Sequence, residues 1–374
     1  MDYRVKMRKL LIVILLGLIL ASVLIGLYLF YKQPIEQAND GSDTSIFTSQ
    51  NPQVFEPVLP DSPVQLPKDF QFHNDYQHEW WHFFANVVDA EGQQYGIQWS
   101  YFRIASDEQD RRGWQNPQLY VSHIVISNQN KVWKEQRLAR GGIGQAGMTH
   151  RPFKVWIDNW TWRSLSDTPF PGQLDAQSDT FKLQLRVATS GPFVLPGDRG
   201  YVNKHDLLPI ASHNVTSPFL RVEGLLTFGE DSSLRIIGDA WMSKEWGTGL
   251  MTEGQQGWDW FVLKLDNETT LSVNQYRHKD QLPYIFGLLA TNDGKVVNLT
   301  QDDVIMTPIQ FWPMANNKQI PVTWRVKLAD HGIDVTTQVM NKNLWLPFVI
   351  PYWEGPIETI GTHNAKGFMQ LTGY

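Results

Sequence analysis

The chain has 374 residues (43.1 kDa), no cysteine, a net charge of -6 and a pI near 5.9. It lacks the clustered Lys and Arg that neutralise phosphates, which argues against nucleic acid as a partner, and without cysteine it has no disulfide, no lipobox lipid and no Cys-based metal or catalytic site. The length allows one large domain or two ordinary ones, and sixteen tryptophans point to large packed β cores or to a cavity for a flat, apolar ligand.

The N-terminal "MDYRVKMRK" carries four basic residues and is followed by 22 apolar or near-apolar residues from Leu10 to Tyr31. As a helix this run spans about 33 Å, enough to cross a bilayer core. It is long for a signal-peptide core and no A-x-A-like site clearly follows, so residues 1–32 read as a cytoplasmic stub and an uncleaved, single-pass inner-membrane anchor. The basic flank stays cytoplasmic, which places the bulk of the chain in the periplasm. Residues 33–65 carry Pro34, Pro52, Pro57, Pro60 and Pro63 and few core-forming side chains, and read as a semi-extended tether.

The next stretch, His78-Glu79-Trp80-Trp81-His82, fits the H-E-x-x-H pattern of zinc peptidases. That chemistry needs a helix, which sets residues four apart on one face. On a strand the two imidazoles stand roughly 13 Å apart, too far to share one ion. The flanking "WWHFFANVV", "DAEGQQ" and "YGIQWSYFRI" read as strand, polar turn and strand. A hairpin is therefore expected, and not a zinc peptidase.

Further on, short aromatic or alternating runs such as "LYVSHIVIS", "FKLQLRVA", "WDWFVLKL" and "VTWRVKLA" are divided by Gly, Asn, Asp and Pro turns, as in sandwiches and barrels. "GIGQAG" (Gly142 to Gly147) matches a dinucleotide fingerprint, but Pro152 and no helical run follow, so it reads as a glycine-rich loop. Trp80 to Arg103 and Trp258 to Arg277 repeat one pattern: a Trp pair or Trp-x-Trp, a Phe three residues after the first Trp (Phe83, Phe261), an Asp at the turn (Asp89, Asp266) and a closing Arg. Two similar β domains are expected, over residues 66–235 and 236–374. No G-x-S-x-G elbow is present, which argues against an α/β-hydrolase esterase.

"EWWHFF", "GDRGYVNK", "GDAWMSKEWG", "GWDWFVLKL" and "YWEGPIETIGTHNAKGFMQLTGY" resemble, in order, the motifs of the lipocalin-like family that includes AttH-type secreted proteins and the bacterial CrtC carotenoid hydratases. The resemblance covers roughly residues 66 to 374. It implies two lipocalin-like (calycin) antiparallel β-barrels packed together and a pocket for a hydrophobic small molecule, without fixing one reaction. In the hydratases an aspartic acid just after an aromatic residue is thought to protonate a polyene. The matching segment here has Trp241 for the aromatic and Ser243 for the acid, and a serine hydroxyl is too weak an acid for that step.

Asp239, Glu245 and Asp259 are then the candidate catalytic acids. Glu79 shares a strand face with Trp81, Phe83, Ala85 and Val87, and Asp259 with Phe261, Leu263 and Leu265. A carboxyl there needs a partner or a raised pKa. Pocket acid and structural partner of a buried arginine such as Arg103 or Arg277 both stay open for Glu79, Glu245 and Glu354. The expected ligand pocket takes Glu79, Trp81, Trp241, Trp246, Trp258, Trp260, Trp353 and Glu354; His205 and His213 read as ordinary polar residues. No cofactor or metal is expected. The functional expectation is an anchored, periplasm-facing binder of an isoprenoid or lipid, for transport or presentation. The alternatives are a carotenoid-hydratase-like hydro-lyase working by acid catalysis, and an accessory partner of an ABC-type transporter, as the AttH resemblance implies.

Overall fold

The hairpin expected at the HEWWH stretch is formed by β1 (His78–Val88) and β2 (Gln94–Ala105), with Glu79 directly opposite Arg103. His78 and His82 are thus on a strand and not on a helical turn. The computed structural model describes residues 54–108, 111–249, 254–314 and 318–374. The described residues fall in one compact unit. Among them helix is confined to three-residue 3-10 turns, and none is long and apolar enough to cross a membrane. The expected anchor, residues 10–31, lies outside the described residues.

The first sheet continues through β3 (Gln118–Ser127), β4 (Val132–Arg140), β5 (Ala146–Thr149), β6 (Lys154–Ile157), β7 (Trp160–Ser164), β8 (Gly172–Gln177), β9 (Phe181–Thr189), β10 (Tyr201–Asn203), β11 (Ala211–Phe228) and β12 (Leu234–Gly247). The second sheet holds β13 (Gln255–Lys264), β14 (Thr269–His278), β15 (Tyr284–Thr291), β16 (Val296–Leu299), β17 (Ile305–Pro313), β18 (Gln319–Leu328), β19 (Ile333–Val339), β20 (Trp345–Leu346), β21 (Tyr352–Gly361) and β22 (Lys366–Thr372). Their orders are β4-β3-β2-β1-β12-β11-β9-β8-β7-β6-β5 and β16-β15-β14-β13-β22-β21-β19-β18-β17. The paths correspond over β4-β3-β2-β1-β12-β11-β9-β8 and β16-β15-β14-β13-β22-β21-β19-β18, with β13 and β14 standing where β1 and β2 stand; beyond these the first sheet continues through β7, β6 and β5 and the second through β17 alone. The repeat seen in the sequence is therefore a repeat of topology.

All pairings are antiparallel, and both sheets curl into near-barrels. Among the described residues no ladder joins β4 to β5 or β16 to β17, so the expected closed barrels are open at that seam. β4 and β5 are linked by the glycine-rich stretch, where Gly142 and Gly144 take φ of 81° and 82° and turn the chain. Two expected boundaries move. The first sheet runs through Gly247, past 235/236, because β12 is the strand that pairs with β1. The last part of the expected tether packs on the sheet: Phe55 and Val64 are buried, and Val64 N–H donates to the Arg199 carbonyl at 3.0 Å.

β1 is buried on both faces. Trp81, Phe83, Ala85 and Val87 fill the first near-barrel with Ile97, Trp99, Trp160 and Trp162. The alternate residues turn to the second sheet: Trp80, with Phe102, Val121 and Val125, joins the second core, and Phe84 packs with Trp241, Val262, Leu288 and Phe368. This two-sided burial explains why "WWHFF" reads as a continuous apolar run. Backbone approach at this seam is close. A Cβ on Gly96 would lie 2.5 Å from Pro356 Cγ, in a rigid ring that cannot swing aside. Gly96→Ala is expected to destabilise the protein by about 1–3 kcal/mol, read as a lower urea midpoint at unchanged m-value.

Candidate functional site

Between the two sheets lies a cavity of about 330 Å³. Its walls combine Trp80 and His82 of β1, Trp241, Ser243 and Glu245 of β12, Trp258 and Trp260 of β13, and Tyr276 of β14 with Phe102, Phe286 and Tyr352. A larger hollow on the outside of the first sheet, lined by Arg163, Leu165, Arg186, Arg221 and Ile237, is open to solvent and gathers no buried polar cluster. Aromatic walls and a few convergent, buried polar groups mark the inter-sheet cavity as the candidate site.

One polar cluster is built around Lys204, just after β10. Its side chain is 5 % exposed and pairs with Glu245 Oε1, while Nζ donates to the Tyr276 hydroxyl at 3.0 Å. Trp80, Tyr276 and Phe286 surround the ammonium at 5.2–5.9 Å from their ring centroids. Burial disfavours the ammonium, but Glu245 and Tyr276 outweigh it and push its pKa up to about 12. Glu245 Oε2 accepts from Asn214 Nδ2 at 3.3 Å.

A second cluster is built around His82, two residues along β1 from Trp80. His82 Nδ1 is 3.0 Å from Ser100 Oγ and 3.9 Å from Glu354 Oε1. Glu354 is fully buried behind His82 and Gln370, and its Oε1 accepts from Gln370 Nε2 at 3.1 Å. Desolvation pushes the Glu354 carboxyl up to about 8, hydrogen bonds from Gln370 and Tyr352 offsetting only part of it. The same desolvation brings His82 down to about 3. At neutral pH the wall therefore carries a protonated acid and a neutral imidazole. Tyr352 reaches back across the seam to His123 Nδ1 at 2.7 Å.

The sequence-derived candidates separate. Of the three proposed acids only Glu245 lines the cavity. Asp239 is half-buried at the surface, held by Arg221 at 2.6 Å and Lys264 at 2.8 Å. Asp259 is sealed in the second near-barrel among Arg277, Gln275 and Tyr374, at 2.7–3.1 Å; burial raises its pKa against the pull of Arg277. Of the expected pocket residues, Trp241, Trp258 and Trp260 line the cavity. Trp81 and Trp246 pack in the first core and Trp353 in the second. Glu354 stands one layer behind the wall.

Glu79 takes the structural-partner role. Its carboxylate meets Lys244 Nζ at 2.9 Å and Arg103 Nε at 3.8 Å, and accepts from His73 N–H at 2.8 Å. Burial alone would raise this carboxyl, but Lys244, His73 and Arg103 hold it well below the usual carboxylate range. Asp259 with Arg277 is its counterpart in the second sheet. Lys204 and Tyr276 carry no chemical signal in the sequence, although Lys204 closes the "GDRGYVNK" motif and Tyr276 lies in the repeated hairpin; His82 is marked there only as half of the zinc pattern that a strand cannot use.

Similarity to solved structures follows the same architecture. The crystal structure of a "putative AttH" from Nitrosomonas europaea superposes with a TM-score of 0.78 at 26% identity, covering 86% of this chain and 99% of its own. Kievitone hydratase from Nectria haematococca matches at a TM-score of 0.61 and 14% identity, over 87% and 95% of the two chains. CghA in complex with Sch210972 matches at 0.51 and 13%, over 87% and 96%. The last two likenesses are of fold. No curated protein matches this chain. Over residues 57–374 the sequence matches the AttH-like family, and the chain belongs to that family.

Proposed function

We propose that this protein binds a hydrophobic small molecule, of isoprenoid or lipid type, in the cavity between its two lipocalin-like sheets. The observation that carries this reading is an aromatic-walled space of about 330 Å³ placed where two separately cored near-barrels meet. That volume equals about eleven waters at roughly 30 Å³ each, near the low end for small-molecule pockets, so a compact ligand suits it better than a long polyene. That CghA is seen with Sch210972 on a similar fold supports the same use.

The reading extends to an anchored, outward-facing protein that takes its ligand from or near the membrane, on the strength of the basic flank and the apolar run of residues 10–31. A role beside an ABC-type transporter is a further proposal, supported by the AttH resemblance. A second reading, acid catalysis on the bound ligand, is favoured by one observation: the Glu354 carboxyl lies fully buried one layer behind His82, where desolvation raises its pKa. The fold neighbour named kievitone hydratase is in keeping with it. Ser243 does line the cavity, but its hydroxyl cannot supply that proton.

The test is native mass spectrometry of protein purified from its own host, followed by extraction and identification of the bound molecule. Leu288 is buried and lines the cavity. Leu288→Trp is expected to fill the space and reduce occupancy at least tenfold while leaving the β-sheet circular dichroism unchanged. Equal occupancy in both proteins sinks the proposal.

A further inference from the structure

The Lys204 ammonium has three N–H donors, and two are taken, by Glu245 and by the Tyr276 hydroxyl. Among the described residues no acceptor meets the third. The side chain is 5 % exposed and lines the cavity, ringed by Trp80, Tyr276 and Phe286. An uncommitted charged donor inside an aromatic wall is costly unless a ligand completes it. Glu245 sets what kind of ligand that is. Because its carboxylate already neutralises the ammonium and its other oxygen is held by Asn214, an anionic ligand would bring a second, uncompensated negative charge into a desolvated site. A neutral oxygen acceptor adds a charge-assisted hydrogen bond without that penalty.

We infer that Lys204 is the polar anchor of the cavity and that the ligand is an apolar molecule bearing a neutral acceptor oxygen, a ketone, ester or ether and not a carboxylate. The inference rests on the cavity being the binding site. Glu245 thereby acts as a selectivity residue: it turns a lysine that would attract acids into one that selects neutral oxygen.

The test uses full-length protein in lipid nanodiscs, with empty nanodiscs as reference, and three probes of one length: nonane, 2-nonanone and nonanoate. Affinities are read from quenching of tryptophan fluorescence. For the unmodified protein the ketone is expected to bind about tenfold tighter than nonane, with nonanoate the weakest, since one hydrogen bond to a charged donor is worth about that factor. Lys204→Met should bring 2-nonanone to within about threefold of nonane. Glu245→Gln, close to isosteric, should strengthen nonanoate at least tenfold, and it decides the matter if the lysine variant does not fold. If ketone and alkane bind equally well and Glu245→Gln leaves nonanoate unchanged, the anchor is refuted while the cavity stands. If no probe binds, or Leu288→Trp binds all three as the unmodified protein does, the cavity reading itself fails.

Discussion

Lys244→Met should lower the stability of the folded unit by about 3–5 kcal/mol, the range for removing one partner of a buried ion pair. Lys244 Nζ lies 2.9 Å from Glu79 Oε1, with both side chains fully buried, donates to the carbonyls of Asp69 and Gln71, and sits near 5 Å from the Trp81 and Trp246 rings. Methionine keeps much of the volume and leaves the Glu79 carboxylate facing Trp81 and Phe83 with only Arg103 and His73 beside it. The double change Glu79→Gln with Lys244→Met should recover part of the loss, since the stranded charge is the main cost. Urea unfolding of both variants checks this. A loss under about 1 kcal/mol in the single variant would mean that the network is not holding the first near-barrel together.

Glu354→Gln should remove a pH dependence of stability that the unmodified protein shows on its alkaline side. Burial pushes the Glu354 carboxyl up to about 8 in the folded state, from an ordinary 4.5. Between these values the native state keeps a proton that the unfolded state has lost, so stability falls as pH rises, by about 1.4 kcal/mol per pH unit. The contribution is fully present below about pH 4.5 and gone above about pH 8. His78, His82 and His123, all held near 3 by burial, work in the opposite direction. Their unfolded forms bind protons that the native forms do not, so stability climbs with pH from about 3 to 6.5. The difference between the Glu354→Gln and unmodified curves isolates the carboxyl. It should grow in favour of the glutamine variant from pH 5 to 8 and then level off, and a flat difference across that window would place Glu354 in contact with water.

Much of this architecture was legible because strand sequence has a period of two. Glu79, Trp81, Phe83, Ala85 and Val87 fall on one face of β1 as their alternation implies, and the polar "DAEGQQ" turn gives the register that sets Glu79 opposite Arg103. The Trp80 and Trp258 hairpins match in sequence because each occupies the same place in its sheet, beside β12 and β22 respectively. The glycine-rich loop was legible too, since positive φ at Gly142 and Gly144 is a property of the residue type.

The site was less so. Asp239, Glu245 and Asp259 look alike as acidic residues in aromatic strands, yet one lies in a surface ion pair, one lines the cavity and one is sealed in a core. What separates them is which face of which sheet they occupy and what comes opposite. Likewise "WWHFF" shows that both faces of β1 are apolar but not that Trp80, His82 and Phe84 face the second sheet, because burial in a core and burial at a seam select the same side chains.

The sequence by itself determined the strands, their repeat and the family, all of which follow from local periodicity and ordered motifs. Only the tertiary structure decided the site. Lys204, Glu245 and Tyr276 come from three strands or strand ends, two in one sheet and one in the other, and His82, Gln370 and Glu354 meet only where the sheets do. Their chemistry depends on desolvation and pairing, which arise when distant segments exclude water together.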